Sequence, residues 1–421
     1  MKKGESAMLP PFVGILVNDR MHRSIPVGKT KYEAIEFYIE AGQKYGFTPA
    51  FFRIQDLGVQ RNHVKAYVKQ DKDFALKRIP SPLIIHNRAI YASVKDHRKL
   101  DAWVREGRTL FNHWNRYSKL HIQTVLRDNS ELQAQVPETV RATTAQLQAM
   151  MKRHPALILK PDKSSIGRGV MKLERKQRFW QLTYPVTFSI HNKRWRTRRF
   201  KGPSLPCLLR ARLAQIPYIV QPYLPLATYQ GRPFDLRVSV QRAGTGQWQI
   251  TGIVAKVASG RSFITNVAQG GTVNRLEHIL REEYSYLDLE NVLRGIHEFA
   301  IKVAVQLEQK LPLMADLGLD IGITTEGVPL FIECNSKDQR YSFREAGMLG
   351  EWKASYENPM AYAHFLLNRS SVEEPVPPPA PEAAGVKRGA VGDSPRRAGG
   401  ARTRKTRVAG RSRRRRGART R

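Results

Sequence analysis

Two strongly apolar segments joined by a short polar turn constrain the fold of this chain more than any other feature. They span residues 316–323 and 328–335 and predict a β-hairpin. Polar side chains interrupt the apolar pattern at Asp320, Glu333 and Asn335. Residues two apart in a strand point to the same face, so Glu333 and Asn335 would face the same way. Pairing of the two strands would then bring Asp320 close to both.

Oxygen ligands of this kind are the ones that Mg²⁺ prefers, often while it also contacts nucleotide phosphates. The sequence therefore predicts a magnesium site formed by Asp320, Glu333 and Asn335. A simpler alternative stays open, in which Asp320 caps a turn and Glu333 pairs with a lysine. The chain holds only 36 Asp and Glu against 71 Lys and Arg, so carboxylates inside apolar strands favour the metal site.

Residues 157–170 predict a strand, a flexible loop and a returning strand. Lys160 lies near the end of the first strand, and the loop contains short polar and glycine residues, namely Ser164, Ser165, Gly167 and Gly169. Glycine lets the backbone approach a ligand closely, while lysine and serine donate to phosphate oxygens. The loop lacks the Gly-Lys-Ser/Thr ending of a Walker A motif. It is either a phosphate-binding loop or an ordinary glycine-rich hairpin.

Two further segments supply candidate binding residues. Residues 218–224 form an apolar strand that a proline converts into a connector, which could present backbone groups to a purine or simply end a strand. Asp235 and Arg237 share one face of the next predicted strand. Arg237 and Lys256 could neutralise a transferring phosphate and a substrate carboxylate, although single cations of this kind are more often surface charges.

The remaining periodicity predicts two folded regions. Residues 11–113 contain alternating strand and helix patterns typical of a small open α/β domain, with strands at 12–17, 50–54 and 83–86 and helices at 32–42 and 96–106. Residues 114–369 mix the two patterns as an α+β domain, with strands at 156–160, 218–221 and 249–257 and helices at 118–127, 143–153 and 291–310.

Charge is distributed unevenly along the chain. The formal net charge is +35, of which +11 falls on residues 370–421 and +24 on residues 1–369. The C-terminal tail begins with prolines, continues with arginines and has almost no large apolar residue, so we expect it to be disordered. A second basic cluster occupies residues 193–201. Both features suit polyanions such as DNA, acidic coat protein or an anionic wall polymer.

Cysteine content and hydropathy exclude several classes of protein. Cys207 and Cys334 are too few for a disulfide framework and lack metal-binding spacing, which predicts a reducing, cytoplasmic setting. Cys334 would face away from Glu333 and Asn335, into the core. No run of about 18 apolar residues occurs, so we expect no membrane insertion.

The order and spacing of these motifs resemble the ATP-grasp superfamily, most closely its YheC/YheD group of endospore coat-associated proteins. The resemblance covers about residues 11–368. The matching elements are Ser118-Lys119 before a helix, Lys160-Pro161 with the glycine loop, Gln221-Pro222-Tyr223-Leu224, Asp235-Leu236-Arg237, Asn266 with Gly270-Gly271, Asp320-Ile321-Gly322 and Glu333-Cys334-Asn335.

This resemblance implies an ATP-grasp fold, in which a small N-terminal α/β domain precedes two α+β lobes that enclose ATP. It also implies that Lys119, Lys160 and the glycine loop contact nucleotide, together with Asn266, and that Gln221, Tyr223 and Leu224 line the adenine. Asp320, Glu333 and Asn335 would hold Mg²⁺. Lys256 stands where related carboxylate–amine ligases often have arginine, and Arg237 and Lys256 would be catalytic.

Two functional hypotheses follow. The first is an ATP- and Mg²⁺-dependent ligase that activates an unidentified carboxylate as an acyl-phosphate for attack by an amine or another nucleophile. The second is a non-catalytic protein of the spore coat that keeps the fold and binds polyanions through its basic surface and tail.

Overall fold

The computed structural model describes residues 10–30, 33–164, 167–186, 195–202, 204–260 and 263–370. The expected disordered tail lies outside these residues, apart from Ser370 at the end of the last helix. Ser165 of the glycine loop and residues 193–194 of the basic cluster also lie outside them. The domain limits at residues 113 and 369 stay a prediction.

The first sheet contains both parallel and antiparallel strands. Its elements in chain order are β1 (Phe12–Leu16), α1 (Asp19–Ser24), α2 (Ile35–Tyr45), β2 (Thr48–Phe52), β3 (His63–Gln70), β4 (Asp73–Pro80), β5 (Ile84–Asn87), α3 (Val94–Arg105) and β6 (Thr109–Phe111). The strand order is β4-β3-β2-β1-β5-β6. Strands β2, β1, β5 and β6 are parallel, which confirms the predicted open α/β arrangement. The antiparallel hairpin of β3 and β4 was not predicted.

The second sheet carries the glycine loop. The chain first forms α4 (Lys119–Arg127), whose buried residues pack into the core of the third sheet. The elements of the second sheet and its helices are β7 (Val140–Arg141), α5 (Thr144–Arg153), β8 (Ala156–Pro161), β9 (Met171–Lys176), β10 (Phe179–Pro185), β11 (Trp195–Phe200), α6 (Cys207–Gln215) and β12 (Tyr218–Pro222). The order is β11-β10-β9-β8-β12-β7. One face packs through Leu157, Leu159 and Val220 into a core with α5 and α6. The alternation of side chains leaves Lys160 and Ile219, which pair across β8 and β12, on the other face.

The third sheet carries the predicted metal hairpin. Its elements are β13 (Thr228–Tyr229), β14 (Arg232–Arg242), β15 (Trp248–Val257), a 3₁₀ turn (Val267–Gln269), β16 (Thr272–Asn274), α7 (Leu276–Glu283), α8 (Leu289–Lys310), β17 (Asp316–Ile323), β18 (Pro329–Asn335), α9 (Tyr341–Glu345) and α10 (Leu349–Ser370). The strands order as β16-β15-β14-β17-β18, and β13 pairs with β14. Helices α7 and α8 cover one face, where Leu236 and Leu319 join their core. The opposite face is therefore the one that displays Asp235, Arg237 and Asp320.

Helix α10, near the C-terminal end of the described residues, packs against β1 and α2 near their N-terminal end. Tyr356, Met360 and Tyr362 are buried with residues of β1 and α2 in one hydrophobic cluster. The ring of Tyr356 lies edge-on to Tyr38, with the ring centroids 5.2 Å apart. The last helix, which follows the third sheet in the chain, therefore packs into the hydrophobic core of the first sheet.

Candidate active site

The hairpin of β17 and β18 brings the three predicted metal-site residues together. Asp320 lies opposite Glu333, and Asn335 lies opposite Gly318 on the same face. The register shifts beside Asp320, so the strand bulges where these side chains meet. The Asn335 amide nitrogen approaches Asp320 Oδ2 to 3.5 Å. The expected geometry is therefore present, although the roles of these side chains stay a prediction.

Asp320 is also the centre of an ion cluster. Its Oδ1 accepts hydrogen bonds from Lys256 Nζ at 2.8 Å and from Arg237 Nε at 3.0 Å. Burial alone would raise the pKa of Asp320, but the charges of Arg237 and Lys256 lower it below its ordinary value. Asp320 is therefore kept ionised, which the predicted metal site requires. The two cations predicted to be catalytic meet at the metal-site carboxylate.

A second buried carboxylate supports this cluster and was missed in the sequence. Asp338 accepts hydrogen bonds from Arg237 Nη1 at 3.1 Å and from Ser239 Oγ at 2.6 Å. Asp235 similarly forms an ion pair with Lys256 at 2.8 Å. Arg237 and Lys256 are thus each held between two carboxylates. Asp338 follows Asn335 by only three residues, but nothing in the pattern shows that it folds back onto β14.

Lys119 connects the second and third lobes. It is the first residue of α4, whose N-cap Ser118 accepts a hydrogen bond from the His121 backbone at 3.0 Å. Its ammonium donates to the Ser164 carbonyl at 2.6 Å and contacts Glu333 Oε1 at 3.2 Å. One lysine therefore links the glycine loop to the carboxylate hairpin.

Lys160 is the second cation of the site. Removal from water lowers the pKa of its ammonium to about 8, against the opposing effect of the Glu333 carboxylate. Among the residues that the structure describes, no hydrogen-bond partner of the Lys160 ammonium is found. A half-buried ammonium of this kind is ready to bind an anion.

The glycine loop has no room for side chains at its two described glycines. Gly167 and Gly169 have φ of +61° and +73°. A Cβ at Gly169 would lie 2.9 Å from Pro161 Cγ, and one at Gly167 would lie 2.9 Å from Ile264 Cγ2. The loop therefore turns back close to β8 and contacts the third lobe. Both the positive φ and the close approach require glycine.

A cavity of about 350 Å³ lies between α4, the glycine loop and β18. Cations predominate in its lining, which contains Arg116, Lys119, Lys163, Arg168 and Lys337. Glu333 and Asn335 border the same space, and Ile219 and Phe331 supply apolar walls. This combination suits a polyphosphate attached to a planar apolar group. The sequence did not predict four of these cations as binding residues, namely Arg116, Lys163, Arg168 and Lys337. Two of them, Lys163 and Arg168, belong to the segment that was predicted to form the glycine loop.

Other predicted residues do not line this cavity. The Gln221 side chain is buried and donates to Thr139 Oγ1 at 2.8 Å. Tyr223 carries the Lys172 ammonium 4.0 Å above its ring centroid, and Leu224 is half-buried in the connector. Asn266 accepts backbone hydrogen bonds in the loop before β16. In the structure, these four residues therefore do not line the cavity.

The residues present fit Mg²⁺ and a nucleoside triphosphate. Two carboxylates and an amide provide a hard-oxygen donor set, and the glycine loop provides a cradle that a Cβ would fill. The described residues contain no group of three or more His, Cys, Asp and Glu suited to a metal ion, so a metal here relies on Asn335 and on phosphate oxygens. Cys334 packs against the hydrophobic core of the third lobe, and burial raises its pKa to about 12. Cys334 is only half-buried and also borders the cavity, so the structure agrees in part with the predicted core position.

Comparisons with known proteins identify relatives of this chain. A family model described as YheC/D like ATP-grasp matches residues 107–366. Over 314 residues the chain is 22% identical to the endospore coat-associated protein YheC of Bacillus subtilis (strain 168), covering 70% of this chain and 81% of YheC. Over 333 residues it is 19% identical to the endospore coat-associated protein YheD of the same organism, covering 76% of this chain and 70% of YheD.

Solved structures are also similar. The ATP-grasp ligase PsnB, complexed with a phosphomimetic variant of a minimal precursor, Mg and ADP, has 14% identity and a TM-score of 0.45. The match covers 82% of this chain and 97% of PsnB. In the part of the chain that the structure describes, no helix combines the length and the apolar character needed to cross a bilayer.

Proposed function

This chain belongs to the YheC/D-like ATP-grasp family, and we propose that it is an ATP- and Mg²⁺-dependent ligase. The proposed substrates are a carboxylate, activated as an acyl-phosphate, and an amine or another nucleophile. The observation that carries the proposal is the convergence of Asp320, Glu333 and Asn335 with the two lysines Lys119 and Lys160. A scaffold without chemistry has no need for so many half-buried charges close together, because each costs desolvation energy.

Each group of residues in the site has a separate role in the proposed reaction. When bound, MgATP supplies a transferable phosphoryl group and the divalent charge that polarises it. Asp320, Glu333 and Asn335 would hold the metal, and Lys119 and Lys160 would bind and orient the phosphates. Gly167 and Gly169 allow the loop backbone to cover them and to exclude water, which would otherwise compete with the acceptor nucleophile.

Arg237 and Lys256 would stabilise negative charge on the carboxylate side of the reaction. Both are held rigidly by Asp235, Asp320 and Asp338, so little reorganisation is needed when charge develops. In the first half-reaction the substrate carboxylate oxygen bonds to the γ-phosphorus, and ADP leaves. In the second half-reaction the nucleophile bonds to the acyl carbon, phosphate leaves, and the nucleophile loses a proton.

The test is a screen for ATP-dependent phosphate release with the full chain against amino acids, peptides and cell-wall precursors. We expect release that requires both Mg²⁺ and one class of carboxylate, and that is abolished in Glu333→Gln. Trapping with hydroxylamine would identify the acyl-phosphate as a hydroxamate. Tight MgATP binding without any carboxylate-dependent release would contradict the ligase proposal.

A second candidate function has support of its own. YheC and YheD are both described as endospore coat-associated proteins, and this chain has a net charge of +35. A non-catalytic coat protein that binds polyanions would use these charges and not the cleft. Polyanion binding that is unchanged in a variant unable to bind MgATP would favour this candidate.

A further inference from the structure

A second cavity, of about 460 Å³, lies between the α1–α2 connection and the start of α9 and α10. We call it the α9–α10 groove. The residues that give it chemical character are Lys29, Glu33, Tyr341, Arg344, Trp352 and Tyr356. The sequence predicted none of them as a site residue, and none lines the cavity that contains Lys119 and Glu333.

The charge of the groove is positive. Glu33 is the one acidic residue in the described lining, and it is already neutralised by Arg88, whose Nε lies 3.0 Å from Glu33 Oε1. Burial would raise the pKa of Glu33, but Arg88 and Lys337 lower it to about 2. Within the described part of the chain, no carboxylate lies within ion-pair distance of Lys29 or Arg344. Among its described lining residues, the groove therefore offers two exposed cations and no available anion.

One wall of the groove is aromatic. The Arg344 guanidinium lies 5.4 Å from the ring centroid of Trp352, which is half-buried. Tyr356 is buried behind it, with its hydroxyl fixed by the Ala34 backbone at 3.0 Å. A cation stacked beside an accessible indole suits a ligand whose negative group lies next to a flat or apolar group.

The groove adjoins the active site through α9. Phe343 of α9 is buried with Val254 of β15, the residue that pairs with Arg237. Burial raises the pKa of Tyr341 at the start of α9, and the charges of Arg237, Lys256 and Asp320 also act on it. Helix α9, which lines the groove through Tyr341 and Arg344, therefore packs against the face of the third sheet that displays Arg237.

We propose that the α9–α10 groove holds the acyl substrate by a part remote from the reacting carboxyl group, and that this part carries a negative charge next to an aromatic or apolar group. The proposal rests on the proposed ligase function, because it treats Arg237 and Lys256 as the groups that face the reacting carboxyl. Under this proposal the substrate is not any carboxylic acid but one that carries a second anionic group.

The test measures binding to the full chain without nucleotide, so that it does not depend on activity. The probes are N-acetylphenylalanine and its uncharged amide, compared by calorimetric titration. We expect the acid to bind at least about tenfold more tightly than the amide, since one charge-assisted contact is lost. Arg344→Gln and Lys29→Gln should each remove most of this preference. Arg281→Gln, an exposed arginine on α7 at the opposite face of the third sheet, is the matched control and should bind as the natural chain does.

The outcomes separate this proposal from the proposed function. Equal binding of acid and amide, no saturable binding of the acid at millimolar concentrations, or unchanged preference in both groove variants would overturn the groove assignment. MgATP binding and carboxylate-dependent phosphate release would still stand in that case. Conversely, failure to bind MgATP would remove the ligase while leaving a measured anion preference at Arg344 and Lys29 in place.

Discussion

Asp320 illustrates how single residues in this site depend on one another. Its Oδ1 is shared by Lys256 and Arg237, while Oδ2 lies beside the Asn335 amide. Charges that are fixed in this way do not need to move when a metal or a phosphate arrives. Because Asp320 compensates two buried cations, neutral substitutions of Asp320 itself are expected to weaken folding as well as binding.

The first prediction at this scale concerns Glu333→Gln. The substitution keeps the shape but replaces a charged residue of the proposed metal site by a neutral one, and it also weakens the contact with Lys119. We expect affinity for MgATP to fall by about tenfold or more, with little change in affinity for metal-free ADP. Calorimetry with and without Mg²⁺ measures both. Glu298→Gln, on the exposed side of α8, is the control, and equal MgATP affinity in the two variants would refute the metal site.

The second prediction concerns the protonation of Lys160. Its pKa is about 8 in the folded chain and about 10.5 when exposed, so between these values the unfolded chain binds the extra proton. The free energy of unfolding should therefore rise with pH across this window, by at most about 3 kcal/mol from this group. Lys337 has a similar pKa of about 8, so the contribution of Lys160 is the difference between the natural chain and Lys160→Met.

Chemical denaturation at several pH values measures this difference. Lys310→Met, at the exposed end of α8, is the control and should keep the full rise. Identical pH profiles for the natural chain and Lys160→Met would show that Lys160 is solvated like an ordinary surface lysine.

At the scale of elements, the connection between β8 and β9 offers a third prediction. Gly169→Ala should cost about 1 kcal/mol for the left-handed backbone, and more because its Cβ would meet Pro161 at 2.9 Å. Gly231→Ala is a matched control, since Gly231 has φ of +69° and nothing within 4 Å of a Cβ. We expect both variants to be less stable, but only Gly169→Ala to bind MgATP more weakly. Denaturation combined with calorimetry would test this, and equal nucleotide affinity in both would argue for an ordinary hairpin.

At the scale of the whole molecule, the basic tail and the folded region should be separable in function. A shortened chain ending at Ser370 keeps all of α10 and removes residues with a net charge of +11. We expect it to fold and to bind MgATP like the full chain. Its affinity for a nonspecific DNA duplex should depend less steeply on salt, because fewer counterions are released. Titration at several salt concentrations provides the slopes. Identical slopes would assign polyanion binding to the folded surface, including the described part of residues 193–201.

The whole molecule also depends on a contact between distant parts of the chain. Asp316 of β17 accepts hydrogen bonds from Arg88 at 2.9 Å and from Arg340 at 2.6 Å, and all three residues are buried. Together with the packing of α10 against α2, this network joins the first sheet to the third lobe. The two regions predicted from periodicity therefore share a hydrophobic core.

Sequence alone determined the local elements of this protein. Apolar runs and turn residues located β1, α2, β8, β12 and the hairpin of β17 and β18. The pairing of Asp320 with Glu333 was also predictable, because a short turn fixes the register of a hairpin and side chains alternate along each strand. The hairpin of β3 and β4 was missed, although Val64, Ala66 and Val68 alternate with polar residues in the pattern typical of a half-buried strand.

Tertiary structure alone decided which distant residues share a site. Asp338 reaches Arg237, and Arg344 joins Lys29 in one groove, across separations of more than a hundred residues. Such contacts depend on how sheets and helices pack, and packing is set by the burial of many side chains at once. Patterns within a short window carry no information about it. The sequence therefore determined which residues the hairpin brings together, whereas the supporting charges and the second cavity follow only from the assembly of the lobes.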